Sequence, residues 1–199
     1  FSMIISATIL AAGGSSRMGD ENKLLLPFNG GMVISQICHT VLNSGLKPVI
    51  VVTGFQHRAV EKVLPGSVDQ ITYNRHWESG MASSIYAGLS ALPGNVDGNM
   101  IVLGDMPLIK ERTLKQLIDQ FHDYEGKRIV YPIFSDQQAN PVIFPKKYFN
   151  EILLSKGDRG CKKILKQYPD DAVGISIDSD EVILDCDTKD DYFRIVSKN

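Results

Sequence analysis

Arg17 and Lys23 stand in and just after an unusually small-residue run, Leu10-Ala11-Ala12-Gly13-Gly14-Ser15-Ser16-Arg17-Met18-Gly19, a combination suited to holding an anion. Small side chains let consecutive backbone N–H groups approach an anion closely and form a nest around it. The guanidinium and ammonium add the positive charge that a polyphosphate needs. The plainer alternative is a flexible strand-to-helix turn carrying a solvated Arg and Lys. Two familiar phosphate loops are excluded. Gly14 and Gly19 have Walker A spacing, but Asp20 follows where Lys and then Ser or Thr are required. The run is also not GxGxxG, which disfavours a dinucleotide site.

Three further segments carry chemistry-capable side chains. Gly104-Asp105-Met106-Pro107 follows a wholly apolar run, so Asp105 stands at the C-terminal end of a buried strand. A carboxylate there suits Mg2+, which takes few protein carboxylates and fills its remaining positions with water and phosphate oxygens. Alone, such an Asp is more often a turn or cap residue, and it is the anion loop that favours the metal. Asn74 to Ile85 (Asn-Arg-His-Trp-Glu-Ser-Gly-Met-Ala-Ser-Ser-Ile) places Gly80 and small residues at a helix start, where free N–H groups bind anions or are simply capped. In Leu184 to Tyr192, Asp185, Asp187, Asp190 and Asp191 cluster before the last helix. Capping by Asp187 or Thr188, with Asp190 and Asp191 complementing the helix dipole, accounts for part of that cluster.

The elements that must position these residues alternate. An apolar strand ends at Thr8-Ile9-Leu10, and Val33 to Leu46 shows a helical stripe of Val33, Ile34, Ile37, Val41 and Leu42. Val49 to Val52 is a continuous β-branched run of the kind buried on both faces of a parallel sheet. A helix is predicted over about 56–64, a strand near 71–73, a helix over 81–92, a strand over 100–103 and a helix over 110–124 with Leu114, Leu117, Ile118 and Phe121 at helical spacing. Strands at 128–131 and 142–144, helices near 147–154 and 161–167, a strand at 173–177 and a last helix from Lys189 complete the reading. This alternation predicts an α/β fold with a mostly parallel sheet and helices on both faces. The broken rhythm after residue 125 predicts an added lobe or an antiparallel edge. Ligands in such sheets bind at the carboxyl ends of the strands, which singles out loops 11–23, 74–84 and 104–107.

Composition bounds the function. The chain has 199 residues, enough for one domain with a real core. Lys plus Arg number 21 and Asp plus Glu 23, a net charge of -2 that argues against gripping nucleic acid through bulk charge. Cys38, Cys161 and Cys186 form no CxxC and no even framework, so they are expected as free thiols in a cytoplasmic protein. The four histidines show no zinc spacing. Met3 to Ala12 is too short to span a bilayer and lacks the basic start of an export signal, so no membrane association is expected.

The ordered motifs resemble those of nucleotidyltransferases, and most closely the MocA-type molybdenum cofactor cytidylyltransferase branch. Leu10 to Gly19 with Lys23-Leu-Leu-Leu-Pro27 is similar to LAAGxSxRMGxxKLLLP, and Asn74 to Leu89 to NxxWxxGMxxSIxxGL. Gly104 to Pro107 matches GDMP, Gln138 to Phe144 resembles GHPVxF with Asn140 in place of His, and Lys156 to Leu165 resembles GDxGxxxLL. Leu184 to Asp191 resembles the D-I-D-T-P-E-D segment, with Cys186 and Lys189 in place of an apolar residue and Pro. The likeness runs from residue 8 to 192.

It implies a single domain of the nucleotide-diphospho-sugar transferase type, Rossmann-like. About residues 4–125 would form the NTP-binding half and about 126–199 the acceptor-binding half. It also implies transfer of CMP from CTP to molybdenum-bound molybdopterin, with Mg2+ as cofactor and pyrophosphate released. Arg17, Lys23 and Asp105 would be catalytic. Nucleotide contacts would come from Leu10, Ala11, Ala12, Gly13, Gly14, Ser15, Ser16, Arg17, Lys23, Asn74, Gly80, Met81, Ser84 and Gly104. The metal would be held by Asp105 and Asp187, with Asp185 as the competing second ligand, and the acceptor by Asn140 and Asp158. Alternatives are GTP or another NTP, a sugar or polyol phosphate acceptor, and a non-catalytic role delivering the cofactor to a molybdenum hydroxylase.

Overall fold

Strand residues of alternating direction feed two separate cores, and this sets the architecture. The computed structural model describes residues 3–19, 21–155 and 161–199. β1 (Ile5–Ala11) lies in the interior of an eight-stranded sheet, flanked by the parallel strands β6 (Gly98–Leu103) and β4 (Val49–Thr53). β5 (Gln70–Tyr73) adds to β4 in parallel and forms one edge. Beyond β6 come β9 (Val142–Pro145), β7 (Ile129–Phe134) and the other edge, β10 (Ala172–Ser176). The short β8 (Gln137–Gln138) folds back on β7, and β2 (Pro27–Phe28) and β3 (Gly31–Met32) form a separate hairpin.

On one face, Ala7, Ile9, Val49, Val51, Met100 and Val102 pack under α1 (Val33–Asn43) and α4 (Glu111–Asp123). The helices meet them with Ile34, Ile37 and Val41, and with Leu114, Leu117 and Phe121, all fully buried. On the other face, Ile101, Val142 and Phe144 pack under α3 (Met81–Ser90) and α5 (Phe149–Leu153), joined by Ile164 and Leu165 of α6 (Lys162–Gln167). α2 (His57–Lys62) contributes Val60, and α7 (Lys189–Ser197) closes on the hairpin through Ile195, Phe28 and Val33.

The predicted elements are all present within a few residues. The expectation for the second half needs correction. The antiparallel strand is not at the edge: β9 is inserted between β6 and β7 and runs against both, while the edge strand β10 is parallel to β7. The reason is chain length. The stretch from Phe134 to Val142 is too short for the helical crossover that a parallel return requires. All four β9 residues are buried, so the strand belongs inside the sheet. The described residues hold no added lobe, and no helix among them is long and apolar enough to cross a membrane.

Asp171, just before β10, ties the edge strand to the segment leading into α5. Its carboxylate accepts from Lys147 and from the Tyr148 hydroxyl, and these bonds hold its pKa below the ordinary value of 3.8. A depressed carboxylate pKa contributes stability above the unfolded value and loses it as pH falls through the folded one. Asp171→Asn is therefore expected to cost about 0.5–1 kcal/mol at neutral pH, a modest figure because the pair is solvent-screened. The difference from wild type should close as pH drops below the ordinary carboxylate range, measured by urea unfolding at pH 7, 5 and 3.

Candidate active site

The register of the parallel strands brings the carboxyl ends of β1, β4, β5 and β6 into line: Leu10 pairs with Leu103, Ala11 with Thr53, and Thr53 with Tyr73. The three loops marked in the sequence leave this one edge. They surround a cleft of about 610 Å³ lined by Leu10, Ala12, Gly13, Gly14, Arg17 and Lys23 from the first, Gly80, Met81 and Ser84 from the second, and Asp105 from the third. Asp185 and Asp187 complete it from the segment before α7.

An ion-pair cluster forms the floor. The Lys23 Nζ lies 2.5 Å from Asp105 Oδ2 and 2.7 Å from Asp187 Oδ1, bridging two carboxylates distant in sequence. Arg17 reaches Asp187 Oδ2 at 2.8 Å from a largely exposed position. Burial alone would lower the Lys23 pKa, but Asp105 and Asp187 outweigh it and hold the ammonium above its usual value. Asp187 shows the opposite balance: burial would raise it, and Lys23 with Arg17 keeps it below the carboxylate range. Asp185 is pushed up, first by burial and then by its acidic neighbours Asp105 and Asp187.

Local structure explains why the acidic segment ends here. The Cys186 N–H donates to the Asp105 carbonyl at 2.9 Å, tying the segment to the loop after β6. Cys186 itself is fully buried against Phe28, Val33 and Ile195, while the residues on either side of it enter the cleft. Capping is a separate matter. Thr188 is the N-cap of α7, and its hydroxyl and the Asp191 carboxylate form a reciprocal capping box. Asp187 is left to pair with the two cations.

One oxygen from each of Asp105, Asp185 and Asp187 lies within 4.8 Å of the others. These are hard oxygen donors of the type that Mg2+ and Mn2+ take, with room left in the cleft for other ligands. The residues present therefore fit a divalent cation.

Other expected residues take different places. Ala11 is turned into the core beneath α1. Ser15 adopts a left-handed φ of 51°, and its hydroxyl accepts from the Lys23 backbone N–H at 3.2 Å, so it shapes the loop. Asn74 is buried below the cleft. Its amide donates to the Ser83 and Ser84 hydroxyls at 2.8 and 3.1 Å, and its carbonyl accepts from the His76 N–H, so it braces the second loop instead of lining the cleft. Gly104 is a point of close approach: its N–H donates to the Leu10 carbonyl, and a Cβ would stand 2.6 Å from that oxygen. The Ser16 side chain and Asp158 lie outside the described part of the structure.

Asn140 lines an adjoining cavity of about 320 Å³ with Gln138 and Lys162. Both cavities share Met81, Leu103 and Asp185. Trp77 also lines the cleft, although it was not among the expected site residues. Its ring lies so close over Gly14 that a Cβ there would meet it at 2.8 Å, which explains the second glycine of the loop. A tryptophan within an otherwise polar loop was the available signal.

The profile of the MobA-like NTP transferase domain family matches residues 7–173. The Bacillus subtilis purine catabolism protein PucB is 30% identical, the match covering 92% of this chain and 91% of PucB. Nicotine blue oxidoreductase of Paenarthrobacter nicotinovorans is 24% identical over 96% of each chain. The crystal structure of Rv0371c from Mycobacterium tuberculosis superposes with a TM-score of 0.87 at 25% identity, covering 99% of this chain and 100% of that one. The manganese complex of Rv0371c superposes with a TM-score of 0.85 at 24% identity and the same coverage.

Proposed function

The chain belongs to the MobA-like NTP transferase domain family, and we propose that within it the protein transfers CMP from CTP to the terminal phosphate of a molybdopterin-type acceptor. The observation that carries this reading is the pairing of Lys23 with Asp105 and Asp187 at the strand ends, beside a second cavity reached through Asp185. In the proposed reaction an acceptor phosphate oxygen forms a bond to the α-phosphorus. The bond from that phosphorus to the bridging oxygen breaks, and pyrophosphate leaves with the electron pair. The acceptor phosphate is already ionised, so no general base is needed, which suits a cleft with no histidine among its described lining residues.

The loop N–H groups of 12–14, with Arg17 and Lys23, would neutralise the triphosphate and the departing pyrophosphate. Met81 and Ser84 would flank the nucleoside, and the second half of the chain, with Asn140, would orient the acceptor. Asp105 and Asp187 would hold a divalent cation, Mg2+ in this reading, which would supply positive charge against the phosphates. Three free thiols, two of them buried, fit a reducing cytoplasm.

The test is pyrophosphate release from purified protein with Mg2+ and molybdenum-loaded molybdopterin, comparing CTP, GTP, ATP and UTP. Release with CTP alone is expected. Release with GTP alone would keep the mechanism and change the base. A folded protein that releases no pyrophosphate with any of the four would overturn the reading and leave cofactor delivery as the role to pursue.

A further inference from the structure

We infer that Lys23 holds the cation position of the free protein, so that the metal enters only when a nucleotide draws the ammonium away. The inference deepens the nucleotidyltransfer reading, on which it rests for the identity of the nucleotide. The geometry carries it. A single ammonium sits between the very carboxylates that fit a divalent cation, at 2.5 Å from Asp105 and 2.7 Å from Asp187. The Lys23 side chain is only 16% exposed, so water screens these bonds less than at an open surface. Arg17 cannot do the same, since it reaches Asp187 alone and its side chain is 69% exposed.

Charge makes the arrangement self-consistent. Asp105, Asp185 and Asp187 bring three carboxylates into one small region, and Asp185 is pushed up first by burial and then by the other two. Without a cation among them the group repels itself. In the free chain Lys23 supplies that cation. A divalent ion arriving alone must displace the ammonium from both partners, with Glu78 the one carboxylate outside the three aspartates among the cleft's described lining residues. A triphosphate brings several anionic oxygens into the cleft, so Lys23 can leave the carboxylates for the phosphates as the ion takes its place. Lys23 would thus perform two tasks in sequence, and metal and nucleotide would bind with positive coupling.

The sign of one substitution separates this from a purely phosphate-binding lysine. In Lys23→Met the carboxylates lose their cation, and Mn2+ should bind the nucleotide-free variant tighter than wild type by on the order of 10-fold or more. Binding would be followed by the electron paramagnetic resonance signal of free Mn2+. The thermal midpoint of the variant should also rise further with Mn2+ than that of wild type, because a ligand stabilises in proportion to its affinity. Lys23→Gln provides a second variant of similar reach should the first fail to fold.

Equal or weaker Mn2+ binding by the folded variants would overturn the inference, as would their failure to bind Mn2+ at all. These readouts need neither acceptor nor turnover. A tightened Mn2+ site in a protein that releases no pyrophosphate would sink the proposed reaction and leave the lysine exchange standing.

Discussion

Asp105→Asn is expected to lower pyrophosphate release by roughly 10²–10³-fold, the loss typical of removing one preorganised group that faces developing charge, while the fold survives. The side chain and backbone of this residue have separate duties. Its carbonyl accepts the Cys186 N–H at 2.9 Å and fixes the acidic segment, a bond that the substitution leaves in place. Its carboxylate is paired with Lys23, which keeps Asp187 as a partner when Asp105 is neutralised. Loss of one negative charge also relieves Asp185. The thermal midpoint should accordingly move little. Asp187→Asn is expected to fall by a similar factor. Asp185→Asn should lose less, because Asp185 is the one carboxylate of the three with no ion pair to Lys23 or Arg17 among the described residues. Steady-state turnover with saturating CTP and Mg2+, beside circular dichroism and thermal melts, checks all three. Turnover near the wild-type rate in Asp105→Asn would remove that residue from the metal site.

Strand runs such as Val49 to Val52 and Met100 to Leu103 were legible because residues buried on both faces leave an unbroken apolar signature. Helices α1 and α4 were legible because one stripe of each faces the core. The place of β9 was not legible. Val142 to Phe144 read as a strand, but which neighbours it joins depends on the turn at Ser135 and Asp136, both with positive φ, and on the short return that follows. Local pattern carries no information about that pairing.

The site divides in the same way. The run from Leu10 to Gly19 announced an anion loop because backbone approach demands small residues in sequence. Asn74 and Gly104 were read with it, yet one braces hydroxyls under the cleft and the other makes room for the Leu10 carbonyl. A polar or small residue near a site reads the same whether it touches ligand or holds the loop. The choice between Asp185 and Asp187 was open for a related reason: spacing puts both near the strand ends, and only side-chain direction shows that Asp187 meets Lys23 and Arg17.

Glu181 shows what an unpatterned stretch can hide, and it carries the largest stability effect we expect. In the sequence Glu181 stands close to Asp178 and Asp180. In the structure Glu181 is 2% exposed. Its carboxylate accepts from the Thr113 hydroxyl at 2.5 Å, the Lys110 backbone N–H at 3.1 Å and the Ser179 hydroxyl at 3.0 Å, with the Lys110 ammonium at 3.6 Å. Lys110 is the N-cap of α4, so the carboxylate also meets the positive end of a 13-residue helix. Glu181→Ala removes an acceptor of charge-assisted bonds and leaves a buried hydroxyl unpaired, which should cost about 3 kcal/mol in urea unfolding. Glu181→Gln keeps an acceptor and should cost less. A loss under about 1 kcal/mol for the alanine variant would show that the bonds are replaced by water.

The consequence reaches the active site, because Glu181 stands four residues before Asp185. It pins the segment to α4 at one end, as Cys186 pins it to Asp105 at the other. Freed at the first anchor, Asp185 and Asp187 should hold a cation less well. Glu181→Ala is therefore expected to weaken Mn2+ binding in the presence of CTP even at temperatures where the variant is fully folded. Lys23→Met should strengthen Mn2+ binding without CTP, so the two substitutions move the same site in opposite directions for separate physical reasons.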